Sequence, residues 1–380
     1  MLIKNARVYR NRMRAFMTGD ILVTDGLIRK VGKIDAPDEP CYDAGGAYVV
    51  PGLLDVHTHG RVGFDFVSAS PWEYGTMAAD YARNGVTTVM PTLATAPLPQ
   101  MIGATDALNR FTPRAGEASF CGVHWEGRYM NPLKKGAHAE HLLAEPNASE
   151  LKAEALSRCR ALHITAAFEL DRDGSFAKTA LALGATLGLG HTAATYAQAK
   201  QIEARGITSY THLFNAMPSL HHRDGGAVCA ALEGDAYCEL ICDGIHISPE
   251  MIRLAYRAKG PQGISLVSDS IEAAGCADGS YSIAGMPVTV KDGIARTADG
   301  VLAGSTLSMD RAVNNLMEFC RIPLTEAILC ATEAPAKQMG VWGSCGSIEP
   351  GKRADLLFLQ TDARLEIDRV MLRGEFLSER

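Results

Sequence analysis

The chain has 380 residues, 47% hydrophobic and 21% charged, with a net charge of −6, a composition typical of globular proteins with a large core. It has no basic run and no excess of lysine and arginine, which argues against a nucleic-acid or membrane surface and leaves small-molecule chemistry as the expected partner class. No apolar run approaches the ~20 residues that span a bilayer, and the 10 cysteines lack paired spacing, so reduced thiols and a cytoplasmic location are expected.

In chain order, residues 1–50 alternate in short segments, "MLIKNARVYR", "GDILVTDGLIRKVG" and "AYVV", and predict strands and hairpins. From Pro51 onward, short apolar runs are followed by stretches of helical period, the rhythm of βα units on a parallel sheet. The strand candidates are "GLLDVHTHG", "GVTTVMPTLAT", "SFCGVHWEG", "HITAAFEL", "ATLGLGHT", "ITSYTHLFN", "CELICDGIHI" and "ISLVSDS", with helices expected at "SPWEYGTMAADYARNG" and "NASELKAEALSRCRAL". Eight such units predict a (β/α)8 barrel of the TIM type over residues 51–344. A less regular insertion follows Ser270, then two helical segments, then renewed alternation in "GKRADLLFLQTDARLEIDRVMLRGEFL". Residues 1–50 and 345–380 are expected to meet in one small β-sandwich domain. A doubly wound open sheet is the competing topology.

Polar residues recur where these strands end: His57 and His59 on the first, Glu126 on the third, His191, His212 and His246 on the fifth to seventh, and Asp269 on the eighth. Alternate strand residues point the same way, so His57 and His59 can reach one ion. A lone strand-end histidine is usually a hydrogen-bonded structural residue, and a lone acid is often a helix cap. Repetition around one barrel mouth instead points to a divalent metal centre, Zn2+ or Fe2+, with a position open to water.

The order His-x-His, Glu, His, His, Asp resembles the amidohydrolase superfamily. The segments "PGLLDVHTHG", "EGRYMNPLKKGAH", "GHT", "THLFNAMPSLHHRDGG", "DGIHISP", "VSDSIEAAG" and "LAGSTLSMDRAV" are similar, in order and over nearly the whole chain, to N-acetylglucosamine-6-phosphate deacetylases. That resemblance implies metal ligation by Glu126, His191 and His212, with His57 and His59 opening a second ion position. It implies that Asp269 acts as base and then acid, and that His138 polarises the acetyl carbonyl. It also implies that Asn215, Ala216, Arg223 and His246 contact an amino-sugar phosphate, with Arg223 reaching across a homodimer.

Strand four carries no lysine, unlike dihydroorotases and hydantoinases, so Glu126 is expected to bridge two ions. Lys134, Lys135, His124, His221 and His222 are set aside as solvated or structural. Two departures from the family text, "GRYMNP" after Glu126 and "DGG" after Arg223, keep the galactosamine isomer open as the substrate. A non-catalytic scaffold is disfavoured by the complete ligand set. Action on a cyclic amide or a base would need no phosphate anchor.

Overall fold

The computed structural model describes residues 1–36 and 38–378. At the N-terminus run β1 (Leu2–Arg10), β2 (Ala15–Thr24), β3 (Leu27–Gly32), β4 (Cys41–Asp43) and β5 (Tyr48–Pro51). Asp25 and Gly26 both take positive φ between β2 and β3, as a tight hairpin turn requires. A Cβ on Gly26 would fall 2.9 Å from the Arg373 carbonyl, so glycine also permits a close approach of the C-terminal segment.

The barrel strands begin with β6 (Leu53–Thr58), followed by a ribbon of β7 (Gly60–Arg61) and β8 (Phe64–Asp65), then β9 (Val86–Ala94) with β10 (Ser119–Phe120) beside it. The remaining barrel strands are β11 (Val123–Glu126), β12 (Leu162–Ala166), β13 (Thr186–Leu189), β14 (Ser209–Tyr210), β15 (Tyr237–Ile241) and β16 (Ile264–Val267). They pair in parallel from β9 through to β16, and β6 pairs with β9. All of β9 is buried, which explains why its text is free of charged residues.

Between β6 and β16 the barrel closes at its C-terminal end. Asp269 N–H donates to the His57 carbonyl at 2.9 Å and His59 N–H to the Ser270 carbonyl at 2.8 Å. The Ser268 hydroxyl donates to Asp55 at 2.5 Å. The seam is thus fastened beside three of the candidate ligands.

Helix Pro71–Arg83 shows how the outer ring forms. Ser70 and Glu73 make a capping box, and Tyr74, Met77, Ala78 and Tyr81 turn one face inward at helical spacing. The segment 147–162, expected as one helix, instead forms a 3-10 turn at Glu150–Lys152 and a short helix at Glu154–Ser157. Arg128 and the Tyr129 hydroxyl both hold the Glu150 carboxylate, and this tertiary contact overrides local helical preference.

The insertion after Ser270 is more regular than its text suggests. It forms an antiparallel sheet of β17 (Gly279–Ile283), β18 (Met286–Lys291) and β19 (Ile294–Arg296) with its own apolar cluster. The chain ends in β20 (Leu356–Leu359), β21 (Ile367–Leu372) and β22 (Glu375–Phe376). Among the described residues these join β1–β5 in one eight-stranded mixed sheet, in which β20 pairs with β5. Its own core includes Ile3, Val8, Ile21, Val49, Leu356, Phe358 and Met371.

Candidate active site

Two triplets of metal-type donors meet at the C-terminal mouth of the barrel. His57, His59 and Asp269 form one, Glu126, His191 and His212 the other, and within each triplet the donor atoms lie within 4.8 Å of one another. Glu126 joins them. Its Oε2 lies 3.2 Å from His57 Nε2 and 3.0 Å from His59 Nε2, while its Oε1 lies 2.9 Å from His212 Nε2 and 3.4 Å from His191 Nε2. Asp269 Oδ1 lies 3.1 Å from His59 Nε2. All six residues are buried.

The backbone delivers several of these side chains under strain. His191, His212 and Asp269, just past the ends of β13, β14 and β16, have φ of 46°, 32° and 48°, a region that costs a non-glycine residue about 1 kcal/mol or more.

The hydrogen bonds around the cluster identify the free lone pairs. His191 Nδ1 lies 2.8 Å from the Lys134 carbonyl, which can only accept, so its Nε2 is unprotonated when the ring is neutral. His57 Nδ1 lies 3.0 Å from Glu239, whose other oxygen accepts from Gln338 at 2.7 Å, so His57 Nε2 likewise faces the cluster. His191 Nε2 and His212 Nε2 approach to 3.0 Å. Imidazole lone pairs and two carboxylates converging in this way fit a divalent cation, with Glu239 orienting one ligand from behind.

The charges agree with that fit. Burial disfavours a charged imidazole, yet Glu126 and Asp269 outweigh it, lifting His57 well above its ordinary range and His59 to about 9. Burial likewise opposes ionisation of Asp269, but the His57 charge and the His59 hydrogen bond hold it at about 2. The negative charge that retains protons here is also what attracts a cation.

Above the cluster lies a cavity of about 350 Å³, within the range of small-molecule sites. Its walls include His138, Asn215, Ala216, His246 and Lys134, with an apolar side formed by Ile283, Ala284 and Met286 of the insertion. His57 sits beneath the floor and Arg223 stands outside; the other singled-out residues line the cavity. His246 lies in the loop beyond β15, where Asp243 holds its Nδ1 at 2.6 Å. Asn215 turns its amide back to the His212 carbonyl at 3.2 Å. Arg223 is exposed and lies 2.7 Å from His222 Nε2.

Three residues escaped the sequence reading. Lys134, set aside as a solvated charge, is the only lysine or arginine lining the cavity among the described residues, and its Nζ donates to the Met217 carbonyl at 3.0 Å. Glu239 is fully buried in the middle of β15, and an acid inside the apolar run "YCELI" was the available signal. Thr95, at the end of "PTLAT", holds His138 Nδ1 at 2.8 Å. His124, set aside as structural, bonds Thr92 and Thr165 beneath the cluster.

Comparison with known proteins gives a consistent picture. The profile of the amidohydrolase family matches residues 48–377. The N-acetylgalactosamine-6-phosphate deacetylase of Escherichia coli O157:H7 is 33% identical, covering 97% of this chain and 98% of its own. The N-acetylglucosamine-6-phosphate deacetylase of Bacillus subtilis is 30% identical, covering 98% and 96%. Among solved structures, N-acetylglucosamine-6-phosphate deacetylase from Pasteurella multocida superposes with a TM-score of 0.90 at 29% identity, over 100% of this chain and 99% of that one. A mutant of the Mycobacterium smegmatis deacetylase in complex with N-acetyl-D-glucosamine-6-phosphate superposes with a TM-score of 0.88 at 29% identity, over 99% and 98%.

Proposed function

The chain belongs to the amidohydrolase family, and from that premise we propose that it hydrolyses the acetamide of N-acetylglucosamine 6-phosphate to glucosamine 6-phosphate and acetate. The observation that carries this reading is the pair of donor triplets joined by Glu126 beneath a sugar-sized cavity. Glu126, His191 and His212 would hold one ion and His57, His59 and Asp269 a second, with Zn2+ the expected metal for imidazole and carboxylate donors. Bound there, such an ion lowers the pKa of water toward 7 and polarises an amide carbonyl.

The chain's own groups then act in sequence. Asp269, ionised at neutral pH, takes a proton from the attacking water and delivers it to the departing sugar amine. His138, neutral because burial and neighbouring His191 push it down to about 3, donates a hydrogen bond to the carbonyl oxygen as it gains charge. Asn215, Ala216 and His246 contact the sugar phosphate. Arg223, outside the cavity of its own chain, is suited to serve a neighbour's site in a homodimer, its paired donors matching phosphate.

We further assign the chemistry to residues 51–344, with residues 1–50 and 345–380 as a supporting domain. A cytoplasmic location follows from a phosphorylated, membrane-impermeant substrate; the cysteines are free and no helix among the described residues is long and apolar enough to cross a membrane.

The test is acetate release from N-acetylglucosamine 6-phosphate with metal content measured per chain, before and after chelation and metal return. Because the E. coli relative bears the name of the galactosamine epimer, both epimers are assayed. A kcat/KM that favours N-acetylgalactosamine 6-phosphate would replace the glucosamine assignment; metal binding without either reaction would overturn the deacetylase reading.

A further inference from the structure

His138 has two ring nitrogens, and the hydrogen bonds around one of them decide what the other can do. Its Nδ1 lies 2.8 Å from the Thr95 hydroxyl and 3.4 Å from the Thr95 backbone N–H. The same hydroxyl lies 3.0 Å from the Arg128 backbone N–H, which can only donate. Thr95 Oγ1 accepts from Arg128 and keeps its own hydrogen to donate, and the Thr95 N–H aimed at His138 Nδ1 makes that nitrogen the acceptor. A proton on Nδ1 would face the Thr95 N–H, donor against donor. Thr95 is 2% exposed and His138 8%, so a hydrogen bond lost between them is costly.

We propose that Thr95 is a positioning residue, which holds His138 in the Nε2–H tautomer so that the ring presents a donor to the substrate's acetyl carbonyl. With Nδ1 occupied by Thr95, the tautomer sets what Nε2 of His138 offers. The opposite tautomer would turn a lone pair toward an oxygen that is gaining negative charge, which repels where catalysis needs attraction.

The loop after β11 is shaped for this contact. Gly127 presses on the strand end: a Cβ there would come within 3.0 Å of both Thr95 Cα and Thr95 N. Arg128 then takes a φ of 68°, and its N–H donates to the Thr95 hydroxyl. The departure "GRY" thus carries its structural role in the backbone, while the Arg128 side chain is held away by Glu150.

The identity of the carbonyl partner rests on the deacetylase reading; the tautomer does not. Long-range proton–nitrogen correlation on 15N-labelled protein, with the ring assigned by loss of its signals in His138→Asn, is expected to show a proton on Nε2 in the wild type and a mixture in Thr95→Val. In turnover, Thr95→Val is expected to lower kcat by about tenfold to a hundredfold with KM changed less than about threefold. Thr95→Ser, which keeps the hydroxyl, is expected to recover most of the rate. In a His138→Gln background, Thr95→Val is expected to add less than about a twofold loss, because the residue acts through a ring no longer there. An Nδ1–H ring in the wild type, or an equal loss in both backgrounds, would overturn the proposal. Absence of turnover in the wild type on either epimer would count against the deacetylase reading alone, and the nitrogen spectra would still decide the tautomer.

Discussion

Asp269 and Glu239 both approach His57, and the contrast between them separates chemistry from support. Asp269 reaches the cavity, whereas Glu239 lies behind the ring and touches only protein. Asp269→Asn is expected to cut kcat by about 10²- to 10⁴-fold, the range of general acid–base groups, while the Glu126 triplet retains at least one ion per chain by elemental analysis. Glu239→Gln removes the charge and leaves one acceptor oxygen for the two donors His57 and Gln338, and is expected to weaken metal binding by about 10- to 100-fold, read as ions retained per chain at limiting metal. Lys134→Met is expected to raise KM about tenfold for the phosphorylated substrate, with unphosphorylated N-acetylglucosamine unaffected; an equal change for both would remove Lys134 from a phosphate role. The histidines were legible because ligand chemistry recurs at strand ends. Glu239 was not, because it faces His57 across the barrel from 182 residues away, a pairing that only closure of the sheet creates.

At the scale of elements, the barrel strands were legible from apolar runs because their two faces are both covered. The segment 147–162 was misjudged for the opposite reason: its helical text is local, while Glu150 is drawn to Arg128 and Tyr129, from the loop after β11. That loop depends on Gly127, where a Cβ would also meet Met101 Cε at 2.8 Å. Gly127→Ala is therefore expected to destabilise the fold by about 1–3 kcal/mol, the usual range for overpacking, measured by urea unfolding. It should also lower kcat, since the loop it displaces carries the Arg128 N–H that Thr95 accepts. The insertion after Ser270 carried no chemical signal in its text, and its contribution is shape: Ile283, Ala284 and Met286 form the apolar wall opposite the polar floor.

On the scale of the whole molecule, the metal-type cluster continues downward as a column of buried rings. His124 lies 4.7 Å from His57 and 4.6 Å from His163, centroid to centroid. The lower rings are neutral: burial holds His124 well below its ordinary range and His163 at about 4. His163 bonds the Thr186 hydroxyl at 2.8 Å, and its Nε2 is buried without a partner among the described residues, so a proton there has none of them to receive it. Well above pH 6.5 the residue is neutral in both folded and unfolded chains and contributes no pH dependence. As the pH falls from 6.5 toward 4, the unfolded chain binds a proton that the folded chain refuses, so stability drops through that window and levels off below it. For His163 alone the expected loss between pH 7 and pH 5 is about 2 kcal/mol, with His124 acting in the same direction. Urea unfolding at the two pH values should show a smaller difference in His163→Gln than in the wild type, because the amide cannot take up the proton. An unchanged difference would mean that acid sensitivity originates elsewhere, and that the column is held together by packing rather than by keeping its rings neutral.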